Sequence, residues 1–89
     1  MGKEKGTIEI DKAVEDFGGT LRDYRLRHLL SLQDVSEIME YSASYIWRIE
    51  NHQRFPELNT KLKMLLSIWS TEDVHAYLQA ILTKENRAK

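Results

Sequence analysis

The sequence predicts an all-α fold of five helices, and three observations predict it. Apolar residues recur at three- and four-residue steps in five successive stretches. Ser31, Ser42 and Ser70 each stand just ahead of such a stretch, where a side-chain oxygen can accept from the N–H groups left free in a first helical turn. Nothing reads as a sheet. At 89 residues, 42% hydrophobic and with a single proline, the chain can bury one modest core and so forms one domain.

Residues 1–12 are charged and glycine-containing and read as a flexible tail, although Thr7-Ile8-Glu9-Ile10 alternates briefly as a strand would. From Ala13 onward Val14, Phe17, Leu21 and Tyr24 mark an amphipathic helix that Gly18-Gly19 interrupts or starts, with its firmest part at Thr20 to His28. Ser31-Leu32-Gln33-Asp34 opens a second helix, in which the serine caps and the acid reaches back, and Leu32, Val35 and Met39 share one face. Ser36 is small enough for another helix to cross close by. After Glu40-Tyr41-Ser42 a third helix runs from Ser42 to about Asn51, ended by the polar stretch before Pro56. Leu58, Leu62, Leu65 and Trp69 fall on one face of a fourth helix. Ser70-Thr71-Glu72-Asp73 caps a fifth, over residues 70–85, with Val74, Tyr77, Leu78, Ile81 and Leu82 at helical spacing; residues 86–89 read as a tail.

Several function classes drop out. The absence of cysteine excludes a thiolate zinc site, a cysteine nucleophile and a disulfide-stapled secreted module, and it fits a reducing, cytoplasmic setting. The start carries neither a signal peptide nor a myristoylation signal, and no run approaches membrane-spanning length. His28, His52 and His75 lie far apart on three different elements, with no carboxylate placed beside two of them at metal-ligand spacing, so neither a metal nor a cofactor is expected. There is no phosphate loop, dinucleotide fingerprint or serine elbow, so the chain does not read as an enzyme. The net charge of −1, with the acidity mainly at the amino end, does not announce a polyanion partner, and charge has to be read locally.

The informative stretch is Leu30 to Pro56. At 100° per residue, the third helix puts Ser42, Tyr45, Ile46 and Ile49 in one half and Ser44, Trp47, Arg48 and Asn51 in the other. The apolar half packs inward. The other half offers a long cation, a small hydroxyl, a large aromatic ring and an amide, a set suited to base edges and methyl groups in a major groove. The plainer alternative is that Trp47 folds back over Ala43 or the end of the fourth helix.

Leu30-Ser31, Ser36, Ser42, Ser44-Tyr45-Ile46, Arg48-Ile49-Glu50 and Arg54-x-Pro56, together with Leu21-Arg22 and Arg25 upstream, resemble the helix-turn-helix of the lambda-repressor and Cro-like family, often called the XRE type. The resemblance covers roughly residues 17–69. It implies a five-helix lambda-repressor-like fold, with a helix-turn-helix DNA-binding domain over 13–69 and the C-terminal helix over 70–85 as a possible dimerisation element, the third helix lying in the major groove of double-stranded DNA and the second across its backbone. It makes Ala43, Ser44, Trp47 and Arg48 the base-reading candidates, and Ser31, Asn51 and Arg54 the phosphate-contacting ones. It also brings Arg25 and Glu50 together as a structural ion pair.

Three departures from the family pattern stand out. Leu32 stands where a bracing glutamine is common, Glu40 replaces the turn glycine, and Asn51-His52 replaces the usual glycine exit. A left-handed backbone at Glu40 would cost about 1 kcal/mol. Two readings of function follow. One is a sequence-specific transcription regulator, repressor or activator, acting as a homodimer paired through Val74, Tyr77, Leu78, Ile81 and Leu82. The other is a protein-interaction module, or an antitoxin combining both roles, that binds a partner protein through Trp47, Ile38 or the last helix.

Overall fold

Asp16, and not the Gly18-Gly19 pair, divides the first amphipathic stretch in the computed structural model, which describes residues 7–88 and the side chains of residues 9–85. Six helices result among the described residues: α1 (Thr7–Glu15), α2 (Phe17–Arg27), α3 (Leu32–Met39), α4 (Ala43–Glu50), α5 (Leu58–Leu66) and α6 (Thr71–Ala88). The expected count of five is corrected by α1, which takes up residues 7–12 of the expected tail; residues 1–6 lie outside the described residues. The Thr7-Ile8-Glu9-Ile10 alternation is helical because Ile10 and Ala13, three residues apart, both enter the core. Residues 86–88 continue α6, and Lys89 lies outside the described residues.

Each boundary has a local cause. The Asp16 carboxylate accepts from the Gly19 N–H at 2.9 Å and caps α2. Ser31 and Asp34 form a reciprocal capping box on α3, with Ser31 Oγ accepting from Asp34 N–H at 3.0 Å and Asp34 Oδ2 from Ser31 N–H at 2.9 Å. Ser42 caps α4 through the Tyr45 N–H, and Ser70 caps α6 through the Asp73 N–H, both at 3.1 Å. α5 ends at Leu66 and not at Trp69, which is nonetheless buried in the turn beyond it.

The exits of α2, α3 and α4 all use a left-handed residue that is not glycine: Leu29 (φ 56°), Glu40 (φ 64°) and His52 (φ 61°). At α2 the Leu29 N–H donates to Leu26 O (3.2 Å) and the Leu30 N–H to Arg25 O (2.9 Å). At α4 the His52 N–H donates to Ile49 O (3.1 Å) and the Gln53 N–H to Arg48 O (2.7 Å), the same paired closure of the last carbonyls. Side chains suffer a steric penalty there of about 1–2 kcal/mol per residue, which the closing hydrogen bonds and the packing around them offset.

The helices enclose one core in which Leu21, Val35, Ile46, Ile49, Met64, Leu65 and Tyr77 are all less than 2% exposed. Each such side chain contributes roughly 1.5–3 kcal/mol by leaving water. α1 packs on α2 and α6, α2 on α4, α3 on α4, and α5 on α6. α1 lies along one flank of α6 over a shallow groove lined by Ile10, Val14, Ala76 and Ala80, and the Lys84 ammonium meets Glu15 at 2.7 Å. A second ion pair, Lys12 with Asp23, ties α1 to α2. These contacts correct the reading of α6 as a five-residue pairing surface. Val74 and Tyr77 are spent inside the monomer, Leu78 and Ile81 are half-buried, and Leu82 is exposed.

Candidate nucleic-acid interface

α3, the turn Glu40-Tyr41-Ser42 and α4 form the helix-turn-helix. Val35 and Met39 anchor α3 in the core, and Ser36, at the helix crossing, donates its hydroxyl to Tyr41 O at 2.6 Å. The Glu40 N–H donates to Ser36 O at 2.8 Å, so the turn is closed with a glutamate in the left-handed position expected of glycine. Leu32 packs partly buried against the core.

Along α4, Ile46, Ile49 and Glu50 are buried, Ala43 and Tyr45 are half-buried, and Ser44, Trp47 and Arg48 are exposed. Trp47 keeps 43% of its surface in solvent, so the indole is not folded away. The Arg48 and Arg54 guanidiniums make no ion pair among the described residues. Asn51 caps the helix end, its Nδ2 donating to Trp47 O at 2.9 Å and leaving a second N–H available. Ser31 uses its oxygen as the α3 cap, which leaves the hydroxyl proton free to be donated. Arg54 is exposed beyond the helix exit. The base-reading candidates therefore share α4, while Ser31, Asn51 and Arg54 sit at the ends of α3 and α4.

The carboxyl half of α4 is gripped from behind at three points. At Gly18 the two backbones approach so closely that a Cβ would stand 2.1 Å from Ile49 O, which explains a glycine inside α2 better than helix breaking does. Arg25 meets Glu50 as a bidentate pair, Nε to Oε2 at 2.9 Å and Nη2 to Oε1 at 3.0 Å, with Nη1 also donating to Leu30 O at 3.3 Å. The Glu50 side chain is 2% exposed and that of Arg25 17%, and the hydrogen bonds to Glu50 raise the affinity of the guanidinium for its proton. Finally, the His52 ring lies 2.8 Å from Asp16 Oδ1. Hydrogen bonds from His52 and then from the Gly19 N–H hold the Asp16 carboxyl below its ordinary value, with Lys12 adding to the effect.

Two of these grips had no motif to announce them. A glycine inside an amphipathic pattern was the only trace of the Gly18 contact, and the Asp16–His52 pair joins residues 36 apart. The same is true of the guanidinium of Arg54 lying over the Tyr45 ring, 5.5 Å from its centroid. The surface is mixed in sign, since Asp34, Glu37 and Glu40 are exposed on α3 and its exit. Among the described residues no three His, Asp or Glu side chains are grouped to hold a metal ion, and no helix is long and apolar enough to cross a membrane.

No curated protein and no solved structure matches the chain. A family model described as a helix-turn-helix domain matches residues 16–87, from the Asp16 cap through nearly all of α6, and leaves α1 outside. With α3, turn and α4 in the geometry above and a match over most of its length, the chain belongs to the helix-turn-helix domain family, consistent with the lambda-repressor and Cro-like type.

Proposed function

We propose that this protein is a sequence-specific DNA-binding transcription regulator that reads the major groove with α4. The observation that carries the reading is the division of α4. Its inner half is used up by Ile46, Ile49 and the Arg25–Glu50 pair, while Ser44, Trp47 and an Arg48 with no ion pair among the described residues face outward on a helix held at three points. A rigid helix is what base readout needs, because bidentate donation from an arginine to guanine O6 and N7 tolerates little misplacement. Ser31, Asn51 and Arg54 flank that face as phosphate contacts, which set register without carrying sequence information.

Selection from random duplex DNA, followed by a salt titration on the selected site, tests this. Affinity is expected to fall steeply with salt, and Arg48→Ala to weaken specific binding by about 1–3 kcal/mol while relaxing preference at one base pair. Equal losses on every sequence would reduce Arg48 to a phosphate contact. A second reading, as a protein-binding module, draws on Trp47 at 43% and Ile38 at 40% exposure beside a net charge of −1. It predicts no selected duplex and partner binding that salt barely changes.

Pairing into a homodimer on an inverted repeat belongs to the same proposal, with half-sites about 34 Å apart. The available surface on α6 is Leu78, Ile81 and Leu82. Ile81→Lys is expected to leave a folded monomer with much reduced operator affinity. An unmodified protein that sediments as a monomer and selects a site without inverted symmetry removes the dimer.

A further inference from the structure

We propose that Tyr45 is a positioning residue, whose ring, backed by Tyr41, holds the Arg54 guanidinium in place for a DNA phosphate. The inference rests on the DNA-binding reading above and adds to it a residue that need not touch DNA.

Arg54 lies in the irregular segment between α4 and α5, exposed and without an ion pair among the described residues. A long side chain on such a segment normally samples many rotamers and loses that freedom when it binds. Here both of its ends are tied to α4. Its backbone N–H donates to Arg48 O at 3.3 Å, next to the 2.7 Å bond from Gln53 N–H to the same oxygen. Its guanidinium carbon lies 5.5 Å from the Tyr45 ring centroid, within the range at which a cation is attracted to an aromatic face.

The platform is itself fixed. The Tyr45 N–H donates to the Ser42 cap at 3.1 Å, and its side chain packs half-buried against the core. The Tyr41 ring lies 5.6 Å from that of Tyr45 at 37°, and the Tyr41 carbonyl accepts from Ser36 Oγ at 2.6 Å. A phosphate-binding cation is thereby kept in register with the helix that carries the base-reading side chains. The attraction belongs to the ring face and not to the phenol hydroxyl, which sets the form of the test.

Affinity for the selected duplex is measured across salt concentrations for Tyr45→Phe, Tyr45→Leu, Arg54→Ala and the Tyr45→Leu/Arg54→Ala double variant, with melting curves to establish folding. Tyr45→Phe is expected to bind as the unmodified protein does. Tyr45→Leu is expected to bind about 2–5-fold more weakly, the size of an exposed cation–π contact, and to add nothing once Arg54 is alanine. If Tyr45→Leu does not fold, Tyr45→Met makes the same comparison. Independently of DNA, the Arg54 side-chain methylene protons are expected to show upfield ring-current shifts in the unmodified protein and in Tyr45→Phe, and to lose them in Tyr45→Leu. The inference is overturned if the leucine variant weakens binding equally with and without Arg54, if phenylalanine is as weak as leucine, or if no ring-current shift exists. If the unmodified protein binds no duplex, the DNA-binding reading fails, and the ring-current measurement still decides whether Tyr45 holds Arg54.

Discussion

Arg25→Met isolates the buried ion pair behind α4. Methionine keeps most of the apolar stem but removes three donors, two to Glu50 and one to Leu30 O. The Glu50 side chain, 2% exposed, is then left with a carboxylate that has lost its cation. Breaking one side of a buried pair typically costs about 3–5 kcal/mol, far more than the pair contributes relative to a well-packed apolar replacement. A chain of this length has roughly 4–13 kcal/mol of stability in all, so the variant should sit near the edge of folding. At about 4–8 °C per kcal/mol for a small domain, the melting temperature should fall by at least about 12 °C. Urea or thermal unfolding followed by circular dichroism measures it, together with the Arg25→Met/Glu50→Met double variant. The double variant should recover much of the loss, because no charge is stranded. An unchanged melting temperature in the single variant, or a double variant as damaged as the single, would refute the reasoning.

Gly18→Ala should destabilise by about 1–3 kcal/mol and weaken DNA binding beyond that, because the new Cβ meets the Ile49 carbonyl and pushes α4 outward; unchanged unfolding would mean the helices separate freely. Glu40→Gly should stabilise by about 0.5–1 kcal/mol in urea unfolding, as relief of the left-handed penalty exceeds the entropy added to the unfolded chain; a loss would show the glutamate side chain to be needed. Tyr77 is fully buried and its hydroxyl has no hydrogen-bond partner among the described residues, so Tyr77→Phe should be neutral or stabilising by up to about 1 kcal/mol. Burial also pushes this phenol from 10.0 up to about 12. The folded state therefore keeps the proton longer than the unfolded one, stability is intact below pH 10.0 and falls as pH rises toward 12, and pH-dependent unfolding should lose that alkaline decline in Tyr77→Phe.

What the sequence made legible follows from where the information is local. Ser31, Ser42 and Ser70 cap the helices they precede, because a cap needs only the three or four residues that follow it. The two halves of α4 were likewise readable from a 100° wheel. α1 was not, since nine residues form no stable helix alone and its pattern mimics a strand until α2 and α6 give Ile10 and Ala13 something to pack on. The wheel of α6 showed a broad apolar arc but not what covers it, and α1 adds to the core that takes up Tyr77 and Val74. The left-handed cost at Glu40 could be anticipated from a family pattern, whereas Leu29 offered no such cue.

The placement of α1 restricts how two copies can meet. One side of α6 faces the core and the adjoining flank lies under α1 and the Glu15–Lys84 bridge, which leaves a partner the strip bearing Leu78, Ile81 and Leu82. Three aliphatic side chains, two of them already half-buried, fall well short of the roughly 800 Å² per partner found in stable interfaces. If α6 is the pairing surface, free protomers and not preformed dimers are the species that search for DNA. The second protomer would then be recruited by a neighbour already seated on the adjacent half-site, where a shared duplex raises its effective concentration. Occupancy would rise with the square of protein concentration over a narrow range, so that a modest change in expression level would act as the switch.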